Sequence, residues 1–307
     1  MVARLVPPVV TRSLLLLSLS VMGASGIAVA YASQLPGSSG PAATPAGAGG
    51  AFETYPRELN GQPSEVIAHS ALAPCEAREP AAARRPLRVA TWNIRASRTA
   101  PLDAIGAELA AFDADVIALQ EVDVRVRRTG FVDQPTALAV ALGYHYAFTA
   151  SIKWDGGDYG LAMLSRWPLA EVRRHRIEHP ETRELRIVLD TTVCADGRPL
   201  RILNHHADVR DAPRQSSLAD LAALARPHVG RGVVVLGDFN DIPEAAGIHA
   251  LLGSGLHDLG AAGNERTASE GRIDYVLVDA PLAGATSARV WTTAKSDHNA
   301  VIADLTW

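Results

Sequence analysis

The sequence predicts an α/β fold with mixed β-sheets, on three observations. From residue 87 to the end, short apolar, β-branched runs alternate with segments of helical spacing. Two of the runs are joined through Ala195-Asp196-Gly197, which reads as a hairpin turn and so as an antiparallel pair. No short internal repeat interrupts the alternation.

In chain order, residues 87–94 form an apolar run of strand type, and residues 102–112 have the spacing of a helix. Residues 116–122 read as a second, buried strand and residues 134–142 as a short helix. Strands follow at 144–151 and 159–165. The hairpin comprises residues 185–194 and 200–206. Residues 213–229 read as a helix whose apolar positions include Leu218, Leu221, Ala222 and Leu224. Residues 233–237 form a short strand that is apolar throughout, as expected for one covered on both faces. Residues 273–278 and 300–305 complete the pattern.

The chain has 307 residues, 48% of them hydrophobic, enough for one large domain or two small ones that need no disulfide framework. From Pro86 onward acidic residues outnumber basic ones, 28 to 23, so the domain lacks the global basic field of a sequence-independent DNA binder. The two cysteines, Cys75 and Cys194, fit no zinc spacing. They are either two inert thiols or one disulfide that pins the N-terminal segment to the domain, and the second requires an oxidising compartment.

Arg4 and Arg12 precede an uncharged stretch, residues 13–35, that is Leu-rich at its front and passes into small residues. Ala28, Ala30 and Ala32 set up cleavage after Ala32, the layout of a secretory signal. The alternative is an uncleaved anchor, since the run reaches the roughly 20 residues that span a bilayer. Residues 1–32 are therefore read as a signal peptide or membrane anchor, and the remainder as secreted or otherwise extracytoplasmic. Residues 33–86 are read as a flexible Gly/Pro/Ala-rich linker followed by a segment without regular structure. The packed domain is expected to occupy residues 87–307.

Functional signals sit at the polar ends of the strands. Asn93, Glu121, His206, Asp238, Asn240 and Asp297-His298 each end, follow or precede a strand, and Asp274 opens one. Singly, such residues are turn formers or helix caps. Together they matter, because open α/β sheets bind ligands at the carboxyl ends of their strands. Acids, amides and imidazoles converging there suit a hard cation such as Mg²⁺ and phosphoester chemistry.

In chain order the motifs are Thr91-Trp92-Asn93-Ile94, Leu119-Gln120-Glu121-Val122-Asp123, Tyr159-Gly160-Leu161-Ala162-Met163-Leu164-Ser165-Arg166, Asn204-His205-His206-Ala207-Asp208, Gly237-Asp238-Phe239-Asn240, Ile273-Asp274-Tyr275 and Ser296-Asp297-His298. In this order they resemble the endonuclease/exonuclease/phosphatase superfamily over the whole domain. The resemblance implies a four-layer α/β sandwich of two mixed β-sheets flanked by helices, and a Mg²⁺ cofactor for which Mn²⁺ could substitute. It implies Glu121 as the main metal ligand, with Asn93 beside it and Asp297 close by. Asp238 would orient or activate the attacking water, and Asn240 would hold a phosphate oxygen. His298 would pair with Asp274. His206 would donate to the phosphate, and Asp158 sits where relatives place a carboxylate partner for that histidine. The doubled histidine departs from the usual motif. By register His206 faces the site and His205 the other side, where it is expected to be a buried structural residue.

Arg95, just behind Asn93, is a candidate phosphate contact, and Arg125, Arg127 and Arg128 are weaker ones beside the reading of a solvated loop. The expected activity is that of a monomeric, nuclease-like phosphodiesterase acting on nucleic acid, a phospholipid head group or a small phosphodiester. The alternative is a lipid-directed phosphodiesterase of the sphingomyelinase type. It requires an exposed apolar loop, and none is apparent in a sequence with 5% aromatic residues. A catalytically inactive binding module is disfavoured because every expected catalytic position is filled.

Overall fold

The structure is a computed structural model and describes residues 57–76, 86–260, 263–284 and 287–306. The signal or anchor segment, 1–32, and most of the linker lie outside the described residues. Among the described residues no helix is long and apolar enough to cross a membrane.

Among the described residues, thirteen strands form two sheets. The first contains β1 (Ile67–His69), β2 (Leu87–Asn93), β3 (Val116–Val124), β4 (His145–Trp154), β5 (Gly157–Ser165), β12 (Ser287–Trp291) and β13 (Ala300–Leu305), in the order β1-β4-β5-β3-β2-β13-β12. The second contains β6 (Leu169–Ile177), β7 (Arg186–Ala195), β8 (Arg198–His206), β9 (Val233–Asp238), β10 (Leu256–Asp258) and β11 (Asp274–Asp279), in the order β10-β11-β9-β8-β7-β6. Each sheet is mixed, with one parallel pair at its centre: β2 with β3, and β8 with β9.

Alternation along the strands builds three apolar layers. Val89, Val116, Met163, Leu189, Ile202, Val234 and Leu236 meet between the sheets. Helices α1 (Leu102–Phe112) and α2 (Gln134–Leu142) cover the outer face of the first sheet through Ile105, Leu109, Phe112 and Leu138. Helices α3 (Asp211–Ala225) and α4 (Ala246–Gly253) cover the second through Leu218, Leu221, Ile248 and Leu251. The result is the expected four-layer sandwich. In β9 the odd positions Val233 and Val235 face the helices, and the even ones face the opposite sheet. That accounts for a strand apolar at every position.

Local chemistry sets the helix ends. Asp133 caps α2 by accepting from Thr136 N (3.2 Å), and Gly143 closes it in the left-handed conformation. Helix α3 stops at Ala225, short of the 229 expected from apolar spacing, and Arg226–His228 continues as a single 3-10 turn. Pro227 lacks the N–H that a longer helix needs. Strand β6 escapes sequence reading because Glu171, Arg173, Arg174 and Arg176 break its apolar pattern. It is an edge strand, where charge guards against stray pairing.

The expectation that residues 51–86 lack regular structure is corrected. Residues 57–76 add a 3-10 turn at Arg57–Leu59 and the edge strand β1, antiparallel to β4 with Ala68 opposite Phe148. Ser64 N and Lys153 N bond across to Ser151 O and Gln62 O. The packed unit therefore begins well before residue 87. Cys75 is bonded to Cys194 on β7, 119 residues away, which fastens this strap to the second sheet as well.

Replacing Cys75 and Cys194 by Ser should lower the unfolding free energy by about 2–5 kcal/mol. Residues 57–76 should then become the first site of limited proteolysis. Urea unfolding with and without the bridge checks the first statement, and peptide mapping the second.

Candidate active site

The site forms where the carboxyl ends of the two central parallel pairs face each other. Asn93 ends β2, Glu121 lies near the end of β3, His206 ends β8 and Asp238 ends β9. Antiparallel β11 brings in Asp274, opposite Asp238, and the segment before β13 brings in Asp297 and His298.

Backbone irregularity aims the side chains. Between Leu119 and Val122, β3 carries one more residue than β5 pairs with, a bulge. There Glu121 adopts φ 54°, and Arg95 and Asn240 also lie in the left-handed region at 50° and 51°. Non-glycine residues held this way concentrate at functional sites. The bulge is held from the opposite sheet, where Asn204 Nδ2 donates to Leu119 O (3.1 Å) and Ala162 O (3.0 Å). Gln120 Nε2 donates to Asn204 Oδ1 (2.7 Å) and Thr91 Oγ1 (2.9 Å). Gly237 is required just before Asp238, because a Cβ there would stand 1.9 Å from His205 O on the neighbouring strand.

Asp238 is the hub. Its Oδ2 accepts from Asn93 Nδ2 (3.0 Å), and His206 Nε2 and His298 Nε2 lie 3.5 and 3.7 Å away. Its Oδ1 accepts from Asn240 N (3.0 Å). Asn93 Nδ2 also donates to Glu121 Oε1 (3.0 Å). His298 Nδ1 donates to Asp274 Oδ2 (2.9 Å), which fixes the tautomer and turns Nε2 into the cleft.

The acids and imidazoles tune one another. Burial, and then the charge of Asp274, push the Asp238 carboxyl up to about 7. Burial alone would disfavour the His298 imidazolium, but the Asp274 hydrogen bond and the charges of Asp274 and Asp238 prevail and raise it to about 10. Burial pushes His206 the other way, well below its usual value, with the charges of Arg186 and His298 adding to the effect. Near neutral pH His298 is thus an imidazolium while His206 is neutral.

The remaining candidates divide. Arg95 Nε pairs with Asp297 Oδ2 (3.1 Å) at the open edge of the cleft. Asn240 Nδ2 bonds Ala207 O (3.1 Å), so its amide joins the ends of β8 and β9. Asp158 is placed elsewhere than beside His206. Its Oδ1 accepts from Ser64 Oγ (2.5 Å) on the strap, and burial raises its carboxyl to about 6. Residues 158 and 159 point to opposite faces of β5, and Tyr159 is the one that shares a recess with His206. Arg128 is engaged structurally. It forms two bonds to buried Asp123 (2.7 and 2.8 Å) and lies over the Trp154 and Tyr159 rings. Arg127 pairs with Asp155 at 3.5 Å. Trp154 and Trp167 both pack against the inner core.

Sequence reading missed Glu184 and Arg186, which line that recess with Tyr159 and His206. Their only signal was an acid and an arginine two residues apart at the start of a strand, hence on one face.

As expected, His205 faces away from the cleft. It is buried, its Nδ1 donates to Ile187 O (2.8 Å), and Nε2 meets Ser217 Oγ (3.2 Å).

With the geometry in view, comparison with known proteins defines the class. Residues 90–298 match the model of the Endonuclease/Exonuclease/phosphatase family, and the chain belongs to that family. Its members hydrolyse phosphoester bonds. The chain is 28% identical over 215 residues to the uncharacterized protein YbhP of Escherichia coli K12, covering 62% of this chain and 83% of that one. Among solved structures, the 3'-5' exonuclease NExo of Neisseria meningitidis superposes with a TM-score of 0.57 at 22% identity, over 72% of this chain and all of that chain (100%). The mannosyl-6-phosphatase Bt3783 of Bacteroides thetaiotaomicron does so with a TM-score of 0.54 at 20% identity, over 72% and 100%.

Two outcomes follow from this geometry. Asn204→Ala should cost about 2 kcal/mol or more in urea unfolding, because it leaves buried carbonyls without donors. His205, with burial lowering its pKa to about 4, should stay neutral in ring-nitrogen NMR down to roughly that pH. Since an unfolded histidine titrates near pH 6.5, the unfolded chain takes up the proton first. Stability from this residue is therefore complete above about pH 6.5 and lost as pH falls towards 4. A protonated His205 ring at pH 6 would contradict this.

Proposed function

We propose that the protein is an exported, Mg²⁺-dependent phosphodiesterase that cleaves its substrate by attack of an activated water. The observation that carries this reading is the convergence of Asn93, Glu121, His206, Asp238 and the His298–Asp274 pair at the facing strand ends.

The residues present fit a hard divalent cation, since the donors are carboxylate and amide oxygens with no thiolate among them. Glu121 and Asn93 would hold it, with Asp297 at the open side. The tight cluster of Asp238, Asp274 and His298, whose ligand atoms lie within 4.8 Å of one another, is better read as a hydrogen-bonded acid–base set. Its ring nitrogen is already committed to Asp274. When bound, the ion polarises a phosphoryl oxygen and offsets charge that builds in the transition state.

Asp238 orients water in the cleft and takes up its proton, while Asp274 holds His298 as the imidazolium. The water oxygen bonds to phosphorus, the ester P–O bond breaks, and the departing oxygen takes up the proton that His298 Nε2 carries. His206, neutral in its buried setting, offers its one N–H to a phosphate oxygen. Arg95 stands at the entrance for the same anion.

Two features support export: the Arg-flanked apolar stretch at residues 13–35, and a Cys75–Cys194 bridge of the kind that persists in oxidising compartments. The same apolar stretch, left uncleaved, would tether the domain to a membrane, and the domain is read as acting alone, as a monomer. The acidic balance favours small or single-stranded substrates over duplex DNA. One exonuclease and one phosphatase of the same fold agree that the fold leaves the substrate open.

A second reading has its own observation. Phe131, Val209 and Ile242 are 49%, 67% and 46% exposed on the loops that follow β3, β8 and β9. Such a rim could rest on a lipid surface, which revises the expectation that no exposed apolar loop exists.

Glu121→Ala, Asp238→Ala and His298→Ala should each keep the folded circular-dichroism spectrum and lose on the order of 1000-fold or more in kcat. The assay measures cleavage of plasmid DNA, single-stranded RNA, sphingomyelin vesicles and inositol polyphosphate, with and without chelator. Retained turnover in a variant would remove that residue's role. Activity indifferent to chelator would remove the cation. A preference for vesicles would select the lipid reading.

A further inference from the structure

Beside His206 lies a small recess whose wall includes Tyr159, Glu184, Arg186 and Ser151. It is narrow, with free space of about 10 Å³, room for a single oxygen-sized group. No residue assigned a catalytic role above accounts for its lining, apart from His206 itself.

The lining has an unusual balance. Arg186 is only 8% exposed, donates Nη1 to Glu184 Oε1 (2.9 Å), and keeps its Nε without a hydrogen-bond partner. The nearest acid to that Nε is Asp208, at 4.0 Å. Asp208 is itself taken by Arg210 (2.9 Å) and by Thr182 Oγ1 (2.9 Å). A buried guanidinium N–H left open is costly unless something fills its place. His206 lines the recess and also lies 3.5 Å from Asp238, so the recess adjoins the candidate active site.

The chemistry narrows the occupant. A phosphate oxygen only accepts hydrogen bonds, and the Glu184 carboxylate would repel it. A nucleobase or acyl chain is too large for the narrow end. A hydroxyl both donates and accepts, which matches a guanidinium donor set against a carboxylate acceptor.

We propose that Tyr159, Glu184 and Arg186 form a hydroxyl-reading subsite that recognises an OH on the carbon next to the ester-bearing carbon. The preferred substrates are then phosphoesters of polyhydroxylated alcohols, whether the hydroxyl belongs to a ribose or to a sugar or polyol. This rests on the hydrolase reading above and adds a substrate class to it. A site built around a substrate hydroxyl discriminates strongly against the analogue lacking it, because its buried polar groups are then left unpaired.

The test compares kcat/KM on matched pairs: a ribo- and a 2′-deoxyribo-dinucleotide of the same base, and a glycerol and a propyl phosphodiester. Bis(4-nitrophenyl) phosphate, which has no such hydroxyl, reports hydrolysis itself. The wild-type protein should favour the hydroxyl-bearing member of at least one pair by on the order of 100-fold. Which pair shows it separates ribose from polyol. Tyr159→Phe and Glu184→Gln should each reduce the ratio about tenfold or more. The ratio is internal to each variant, so a general loss of activity cancels, and Tyr159→Phe keeps the ring that packs in the core. A wild-type ratio near one, or a high ratio untouched by both substitutions, overturns the subsite while leaving the hydrolase intact. No turnover of any compound, the chromogenic diester included, removes the hydrolase reading and this inference with it.

Discussion

The site depends first on Asn204. A bulge in a central strand leaves backbone groups out of register, and in a sheet interior those groups need partners. Asn204 reaches from the opposite sheet and donates to Leu119 O and Ala162 O, on two neighbouring strands at once. Its own carbonyl is taken by Gln120. That exchange does two things. It clamps the two sheets through hydrogen bonds within a largely apolar interface, and it holds Gln120 inward so that Glu121 turns to the cleft at φ 54°. A regular strand would put residues 120 and 121 on opposite faces with no tilt, and Glu121 would not meet Asn93 as it does.

Given that clamp, the cleft gathers more negative charge than a buried surface tolerates unaided. Glu121, Asp238, Asp274 and Asp297 come from four separate segments. The chain answers with two amides and two imidazoles. Asn93 Nδ2 bridges Glu121 and Asp238. His298 sits between Asp238 and Asp274, where a proton is held firmly. His206 takes the opposite role, neutral because burial disfavours its charged form and Arg186 and His298 already supply positive charge nearby. Burial disfavours charge on both histidines, and only His298 has acidic neighbours that outweigh it, which gives one site a charged imidazole beside a neutral one.

Much of this was legible in the sequence, because strand ends expose polar residues against an apolar background. Asn93, Glu121, His206, Asp238, Asp274 and His298 could all be found that way, and the structure brings them together. His205 could be assigned to the far face by period-2 alternation alone. The rest depends on features that periodicity does not encode. Strand β6 hides behind edge-strand charges. Strand β1 is three residues long and gains its pairing from β4. Glu184 and Arg186 look like any charged pair at a strand entrance until the fold places them against His206. Asp158 failed as a partner for His206 because a one-residue difference in register exchanges the faces of β5, giving Tyr159 the inward position.

The Asp158 misplacement exposes a link between the strap and the cleft. Asp158 turns outward to Ser64, and Ser64 N bonds Ser151 O on β4. Ser151 and Tyr159, in turn, both line the recess beside His206, and Ser151 Oγ donates to Tyr159 O (2.9 Å). The strap therefore buttresses the strands that carry the recess wall from behind. It is held by β1 pairing at one end and by the Cys75–Cys194 bridge at the other. Backbone bonds on both sides of Ser64, from Lys153 N to Gln62 O and from Ala150 N to Val66 O, keep it over Asp158, and the bridge fixes the strap further along. That makes residues 57–76 a structural backing of the recess wall.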